Sequence, residues 1–219
     1  MSGQIGTLTS QVWKQIRDRI LNGTYPNGKE LTELGIGKEL GVSRTPVREA
    51  LRQLELEGLV KIVPHKGAVV TGISAKDVRD IYIVRSHLEG LCARMAVENA
   101  TDEQISDMEE IVFLSEYHGQ KEHFEQVFEL DGKFHDLMYE SSKSKILCHL
   151  LSDYHEYIKR VRKVTVTNRI RAHKCNEEHH QLVDAIRARD ADRAEKLAVR
   201  HILNSIENMS QYDLEEIVK

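Results

Sequence analysis

The spacing of hydrophobic residues divides the chain into a mixed front third and a longer helical remainder. In the front third, apolar residues recur at helical spacing within 9–22, 32–40 and 46–57, and they alternate with polar residues over 59–63 and 68–71. Beyond Gly72, apolar residues keep helical spacing over 74–99, 101–118, 121–140, 144–166, 169–189 and 191–209. This pattern predicts a mainly α protein, with one domain over residues 1–72 and an antiparallel α-helical bundle of about six helices over residues 73–219.

Two short helices in the front third are arranged as a helical hairpin. Gly41 follows the first helix and suits the left-handed conformation of a helix end. Thr45 is predicted to be the N-cap of the second helix, with Pro46 at its first position and Gly58 after its end. The second helix carries one apolar stripe, formed by Val47, Ala50, Leu51 and Leu54.

The outer side of the second helix is basic. Arg48 and Arg52 lie four residues apart, away from the apolar stripe, and Arg44 precedes the predicted N-terminus. Arginines beside unpaired backbone N–H groups suit DNA phosphates and guanine edges. The alternating strands that follow, around a turn at 64–67, predict a β-hairpin with a basic tip. This order is typical of a winged helix-turn-helix DNA-binding domain, although two arginines alone would also fit a solvated charged helix face.

The same residues resemble a known family. The run GVSRTPVREAL, followed by LELEGLV and PHKG, resembles the GntR family of bacterial transcription regulators. The resemblance implies DNA contacts from Ser43, Arg44, Thr45 and Arg48, and wing contacts from His65, Lys66 and Gly67. Members often carry an arginine where this chain has Leu34, and Gly35 and Gly37 weaken the first helix by about 1 kcal/mol each.

Charge and cysteine content favour a DNA-binding protein of the cytoplasm. The formal net charge of −4 over 219 residues combines +3 in residues 1–72 with −7 in the remainder, so the front third would face the nucleic acid. Cys92, Cys148 and Cys175 are scattered and odd in number, which predicts reduced core residues. We expect neither export nor membrane insertion, because no signal peptide or long apolar run is present.

Four polar residues of the predicted bundle lie on apolar stripes. Asp131 and His135 are one turn apart on the third helix, and His201 lies on the stripe of the last helix. His179 shares the face of Leu182, whereas His180 is rotated about 100° away. Buried separately, each histidine could simply be hydrogen-bonded in the core.

The turn between the last two helices favours a metal site over separate core histidines. His179 and His201 lie at equal distances from a turn near Asp190, roughly 16 Å along each helix. In an antiparallel pair they can therefore face each other. One Asp and three His would be costly to bury unpaired, and a divalent cation relieves that cost.

The runs DGKFH and EEHHQLVDAIRARDADRAEKLAVRHI resemble the FCD ligand domain of the FadR-type branch of the same family. The resemblance implies a metal ion bound by Asp131, His135, His179 and His201, with zinc expected first and nickel or manganese as alternatives. It also implies a homodimer, and a small organic acid bound against the metal.

Arg85 also lies on an apolar stripe, that of the first bundle helix. Its guanidinium could bind the carboxylate of an effector in the cavity. Alternatively, it could pair with Glu89 one turn away. The sequence does not separate these two interpretations.

Together these patterns and the family resemblance predict a homodimeric transcription regulator that is not an enzyme. It would bind double-stranded, palindromic operator DNA, with an affinity modulated by a small carboxylate at the metal site. One alternative makes the metal itself the signal. The other, a metal-dependent hydrolase, uses the open ion to activate water, but no general base is evident beside the site and the front third predicts a DNA reader.

Overall fold

The computed structural model describes residues 7–64, 66–166 and 169–218, which contain eleven helices and three short strands. The chain divides into a helical unit, Lys76–Leu214, and a front unit, which comprises the residues up to Ala75 together with those from Glu215 onward. The sequence-based boundary after Gly72 lies a few residues earlier. None of the helices in the described part of the chain has the length and apolar character needed to cross a lipid bilayer.

The N-terminal segment of the front unit contains, in its described residues, three helices and a small sheet. Its elements are α1 (Leu8–Leu21), β1 (Glu30–Leu31), α2 (Glu33–Leu40), α3 (Arg44–Leu56), β2 (Val60–Val63) and β3 (Gly67–Val70). α1 packs on α3, and Val12 and Ile16 of α1 are buried, as are Val47 and Leu51 of α3. The predicted stripe of α3 is therefore confirmed as its buried face.

The hairpin of α2 and α3 is capped largely as predicted, with one correction. Thr32 caps α2, and Gly41 ends it with a φ of 67°. However, α3 begins at Arg44 with Ser43 as its N-cap, so the prediction of Thr45 as the cap was wrong. Pro46 still fits in the first turn, because backbone N–H groups there have no intrahelical partner.

Gly37 is explained by the tightness of this hairpin. A Cβ atom at Gly37 would lie 2.9 Å from the backbone oxygen of Val42, which is closer than real Cβ contacts allow. The glycine costs helix propensity in α2, but it lets the turn after α2 pass close to the helix.

The predicted β-hairpin forms, and a third strand joins it. β2 and β3 pair antiparallel with Lys61 opposite Val69, while β1 pairs along the other edge of β3 with Glu30 opposite Val69. The strand order is β1-β3-β2. β1 has two residues, too few for an alternating pattern to be recognised in the sequence.

The helical unit is built from α4 to α10. Their bounds are α4 (Ala75–Asn99), α5 (Asp102–Gln120), α6 (Phe124–Ser141), α7 (Lys145–Tyr157), α8 (Lys159–Val166), α9 (Arg169–Arg187) and α10 (Ala191–Met209), and α11 (Leu214–Val218) ends the described chain. α5 packs on α6 and α9, and α9 packs on α10. The core includes Cys92, Ala96, Met108, Phe134, Met138, Leu151, Leu182, Ile186 and Ala198.

The helix predicted over 144–166 is two helices, and this is a second correction. α7 ends at Tyr157 and α8 begins at Lys159, with the fully buried Ile158 between them. Neither proline nor glycine lies at the break, so the sequence carries no local signal for it. Tertiary contacts fix the two segments instead, including an ion pair between Arg162 of α8 and Asp131 of α6.

Candidate functional site

The basic end of α3 is held together by a carboxylate from α2. Arg48 donates hydrogen bonds to Glu33 at 2.6 and 2.8 Å, and Arg44 donates to the same carboxylate at 3.0 and 3.1 Å. The hydrogen bond from Arg48, followed by that from Arg44, lowers the pKa of Glu33 to about 2. The side chains of Arg48 and Arg44 remain exposed, at 48% and 65% respectively. The sequence reasoning missed Glu33.

The other residues predicted to contact DNA from the helical hairpin lie along α3. Ser43 and Thr45 are exposed at its N-terminus, beside Arg44 and Arg48. Arg52 is one turn farther on and pairs with Glu49 at 3.3 Å. The structure thus places these five residues on the outer side of one helix, and their contact with DNA remains a prediction.

The predicted wing is the turn between β2 and β3. Lys66 is exposed there, and its backbone N–H donates to the oxygen of Val63 at 3.0 Å. Gly67 has a φ of 107°, and a Cβ atom would lie 2.3 Å from the backbone oxygen of Leu31 on β1. Glycine is therefore required where β1 meets the hairpin. His65, the third predicted wing residue, lies outside the described residues.

The three predicted histidines converge inside the helical unit. The ring centroids of His135 and His179 are 5.3 Å apart, those of His135 and His201 are 5.3 Å apart, and those of His179 and His201 are 4.7 Å apart. Each ring is buried, and one potential ligand atom from each lies within 4.8 Å of the others. Asp131 is also buried, with Oδ1 3.9 Å from Nε2 of His179. The geometry groups the predicted ligands, and residues of this kind can hold a metal ion.

Glu178 orients the ring of His201 through a hydrogen bond, and Glu89 lies beside the ring of His135. Glu89 lies 3.0 Å from Nδ1 of His135, and Glu178 lies 2.7 Å from Nδ1 of His201. A carboxylate on one ring nitrogen fixes the tautomer and directs the other nitrogen, Nε2, toward a metal. Burial alone would raise the pKa of Glu178, but hydrogen bonds from His201 and Arg171 lower it to about 2.

The structure adds residues that the sequence reasoning missed. Arg162 donates to Oδ2 of Asp131, and its charge outweighs burial, so the pKa of Asp131 lies well below its usual value. Cys175 was interpreted as a core residue. It is buried, but its Sγ lies 3.3 Å from Oδ1 of Asp131 and 3.7 Å from Nε2 of His179. Its position one helical turn before His179 was the signal that could have found it.

Arg85 takes one of the two arrangements that the sequence left open. It is 1% exposed and donates to Glu89, with its Nε at 2.9 Å. Glu89 also accepts a hydrogen bond of 2.8 Å from the hydroxyl of Tyr139. Arg85 nevertheless lines the same cavity as Asp131 and His135, so a role toward an effector remains a prediction.

The cavity between these side chains is small and basic. Its volume is about 20 Å³, and Arg85, Arg162 and Arg171 line it together with the metal-type residues. This is room for about one water molecule or one ion. By contrast, His180 is 48% exposed and lies 3.3 Å from Glu116, on the outside of the helical unit as predicted.

Comparison with known proteins finds a family match for each of the two units. Residues 8–70 match the family described as bacterial regulatory proteins, gntR family, and residues 80–204 match the FCD domain. The chain is similar to the uncharacterized HTH-type transcriptional regulator YdhC of Bacillus subtilis (strain 168), with 31% identity over 94% of this chain and 92% of that protein. It is also similar to the HTH-type transcriptional repressor RspR of Escherichia coli (strain K12), with 26% identity over 93% and 90% of the two chains.

A solved structure shows the same fold. The E. coli protein McbR/YncC superposes with a TM-score of 0.73 and 23% identity, covering 94% of this chain and 99% of that chain. The matched families and relatives are transcription regulators, not enzymes. The chain described above therefore belongs to the GntR family of transcription regulators, with an N-terminal GntR DNA-binding domain followed by an FCD domain.

Proposed function

We propose that this regulator binds palindromic operator DNA as a homodimer, and that a metal ion in the helical unit anchors a small carboxylate that changes operator affinity. The observation that carries the proposal is the convergence of three buried histidines, with Asp131 beside His179, inside the helical unit. The resident cation would be zinc, with nickel or manganese as alternatives.

DNA reading is assigned to the exposed side of α3. Arg44 and Arg48 would contact phosphates and base edges in the major groove, with Ser43, Thr45 and Arg52 along the same helix. The turn carrying His65, Lys66 and Gly67 would contact the backbone. Arginine and lysine supply affinity through the phosphates, and α3 supplies the sequence preference.

Metal binding is supported by the donor set and by its orientation. Nδ1 of His201 is hydrogen-bonded to Glu178, the arrangement in which Nε2 serves as a metal ligand, and Nδ1 of His135 lies 3.0 Å from Glu89. Four protein ligands on a cation that accepts five or six leave positions for an anionic oxygen. The ion would hold one end of a carboxylate, and Arg85 would neutralise the charge that remains.

The volume of the cavity bears on how an effector would enter. About 20 Å³ accepts an ion but not an organic acid. The acid carboxylate would therefore have to displace a side chain, and Arg162 is the candidate because it already binds a carboxylate, that of Asp131. The same small volume favours a second candidate function, in which the ion alone is the signal.

Calorimetry separates the two functions. Small mono-, di- and tricarboxylates are titrated into metal-loaded and metal-stripped protein, and the best binder is tested again with an operator selected from random duplexes. We expect binding only to the metal-loaded protein, and reciprocal effects of acid and operator of about 1 to 3 kcal/mol. If no acid binds, but adding zinc changes operator affinity, the ion itself is the signal. Acid binding that is unchanged by metal removal contradicts the metal-anchored mechanism.

A further inference from the structure

Cys175 lies among the residues of the candidate metal site. It is 4% exposed on α9, and its Sγ lies 3.3 Å from Oδ1 of Asp131 and 3.7 Å from Nε2 of His179. The third side of this triangle, from Oδ1 to Nε2, measures 3.9 Å. A single buried cysteine is usually a small apolar residue of the core. Here, however, it shares its surroundings with a buried carboxylate and a buried imidazole.

The three donor atoms are spaced like the ligands of one metal ion. Zinc bonds of about 2.0 to 2.3 Å in tetrahedral geometry place neighbouring ligand atoms roughly 3.4 to 3.6 Å apart. The observed separations of 3.3, 3.7 and 3.9 Å bracket that spacing. Sγ also lies within 4.8 Å of potential ligand atoms of Glu178 and His201, so the sulfur faces the histidine cluster from α9.

We propose that Cys175 is itself a ligand of the metal ion, through its thiolate sulfur. The inference rests on the proposed function, since it requires that the cluster bind an ion. On binding, the S–H bond of Cys175 breaks, the proton passes to water, and the sulfur lone pair forms the bond to the cation. Oδ1 of Asp131 and Nε2 of His179 join the same ion, while Oδ2 of Asp131 stays paired with Arg162.

A thiolate ligand would decide which ion this regulator holds. Thiolates bind zinc and cobalt well and manganese poorly, whereas carboxylate and imidazole ligands discriminate less. An Asp and three His alone would tolerate manganese. With Cys175 added, the site selects a softer divalent ion, and zinc becomes the preferred occupant.

Cobalt substitution tests this ligand directly. Co²⁺ bound by a thiolate shows a sulfur-to-metal charge-transfer band in the near ultraviolet, which oxygen and nitrogen ligands do not give. We expect the band in the full-length wild-type chain, at one Co²⁺ per chain. Cys175→Ser should lose the band and bind Co²⁺ at least about tenfold more weakly. Cys148→Ser is the matched control, because Cys148 is a half-buried residue of the core cluster on α7, and it should behave like the wild type.

The outcomes separate this inference from the metal site itself. Stoichiometric Co²⁺ without a charge-transfer band overturns the role of Cys175 and leaves the metal site standing. The same holds if the band persists in Cys175→Ser. Failure of the wild type to bind any Co²⁺ or Zn²⁺ overturns both proposals. The wild-type spectrum needs no variant, so a misfolded Cys175→Ser would not prevent the test. A zinc-over-manganese preference that narrows in Cys175→Ser would give independent support.

Discussion

Arg48 donates two hydrogen bonds to Glu33, at 2.6 and 2.8 Å, and so ties the second turn of α3 to the first residue of α2. Arg44 shares the same carboxylate. The pairing fixes the direction of the two arginines predicted to read DNA, but it also places a negative charge among them. Because the pKa of Glu33 is lowered to about 2, that charge persists throughout the pH range in which the regulator would bind DNA.

Glu33→Gln should therefore increase the affinity for DNA in general and reduce the discrimination between operator and non-operator DNA. The change removes repulsion of phosphates, so binding to unrelated duplexes should tighten by up to about fivefold. The ratio of operator to non-operator affinity should fall, because Arg44 and Arg48 lose their fixed direction. Fluorescence anisotropy at several salt concentrations measures both quantities. Glu49→Gln, which removes the partner of the more distant Arg52, is the control and should have a smaller effect. Equal DNA affinities for Glu33→Gln and the wild type would contradict the proposal that Glu33 repels phosphates and orients the two arginines.

Arg48→Ala and Lys66→Ala should weaken DNA binding in two different ways. Loss of Arg48 should cost about 1 to 3 kcal/mol of operator binding and relax the preference at one base position in each half-site. Loss of Lys66 on the turn between β2 and β3 should weaken binding to all sequences and reduce the salt slope by about 1. Binding to a panel of single-base operator variants, repeated at several salt concentrations, distinguishes the two patterns. Unchanged operator affinity in both variants would contradict the prediction that α3 and the turn between β2 and β3 contact DNA.

Much of this architecture follows from local signals in the sequence. Gly41 ends α2 with a positive φ, and the stripe of Val47 and Leu51 is the buried face of α3, because helix ends and amphipathic faces depend on neighbouring residues. The placement of His179 inside and His180 outside followed from the 3.6-residue period alone.

The features that the sequence did not reveal depend on distant contacts. Ile158 interrupts a continuous helical pattern because its own burial and the pairing of Arg162 with Asp131 override local preference. The fold brings Glu33 of α2 against Arg48 of α3, and Cys175 of α9 against Asp131 of α6, and these contacts could not be predicted from the sequence. A glutamate on a helix has no local pattern that separates it from ordinary surface residues, and the spacing of Cys175 one turn before His179 becomes informative only once His179 is placed at the site.

A homodimer should form through the exposed apolar face of α4. Ile83, Val84 and Leu91 lie within about 100° of one another around this helix, and their exposed fractions are 52%, 43% and 43%. Sedimentation at micromolar concentration should give about twice the chain mass of 25.1 kDa. The double variant Ile83→Glu, Leu91→Glu should be monomeric and bind a palindromic operator weakly. Ile146→Glu, at a 73% exposed position on α7, is the control and should remain dimeric. A monomeric wild type, with and without DNA, would contradict the prediction.

His201→Ala should abolish stoichiometric metal binding and lower the melting temperature of the metal-loaded protein. The reason is that His201 would supply one ligand and lies against Glu178, whose carboxylate would be left with Arg171 and Asn204. His180→Ala should change neither quantity, since His180 is on the outer surface of α9. Elemental analysis after dialysis and thermal melting by circular dichroism provide the measurements. Identical behaviour of the two variants would show that the inward-facing cluster does not hold the ion.

His155 is a buried histidine that is not a proposed metal ligand, and it should make the free energy of unfolding depend on pH. It is 5% exposed on α7, and among the described residues neither ring nitrogen has a hydrogen-bond partner. Burial, followed by the positive charges of Arg162 on α8 and Arg85 on α4, holds its pKa well below 6.5, with His135 adding to this and Asp131 opposing it. The folded protein therefore keeps His155 neutral, while the unfolded chain takes up a proton below its ordinary pKa.

Above about pH 6.5, His155 is neutral in both the folded and the unfolded chain and does not affect folding stability. As the pH falls below that value, it destabilises the fold increasingly. The slope for one such group is about 1.4 kcal/mol per pH unit. His155→Leu removes the group, so the free energy of unfolding should decline less between pH 7 and pH 5.5 than in the wild type. Urea unfolding of metal-stripped protein, followed by circular dichroism, measures the difference. His149→Leu, at a position whose side chain is 79% exposed on the same helix, should keep the wild-type slope. If His155→Leu keeps that slope as well, His155 is not held neutral in the folded state.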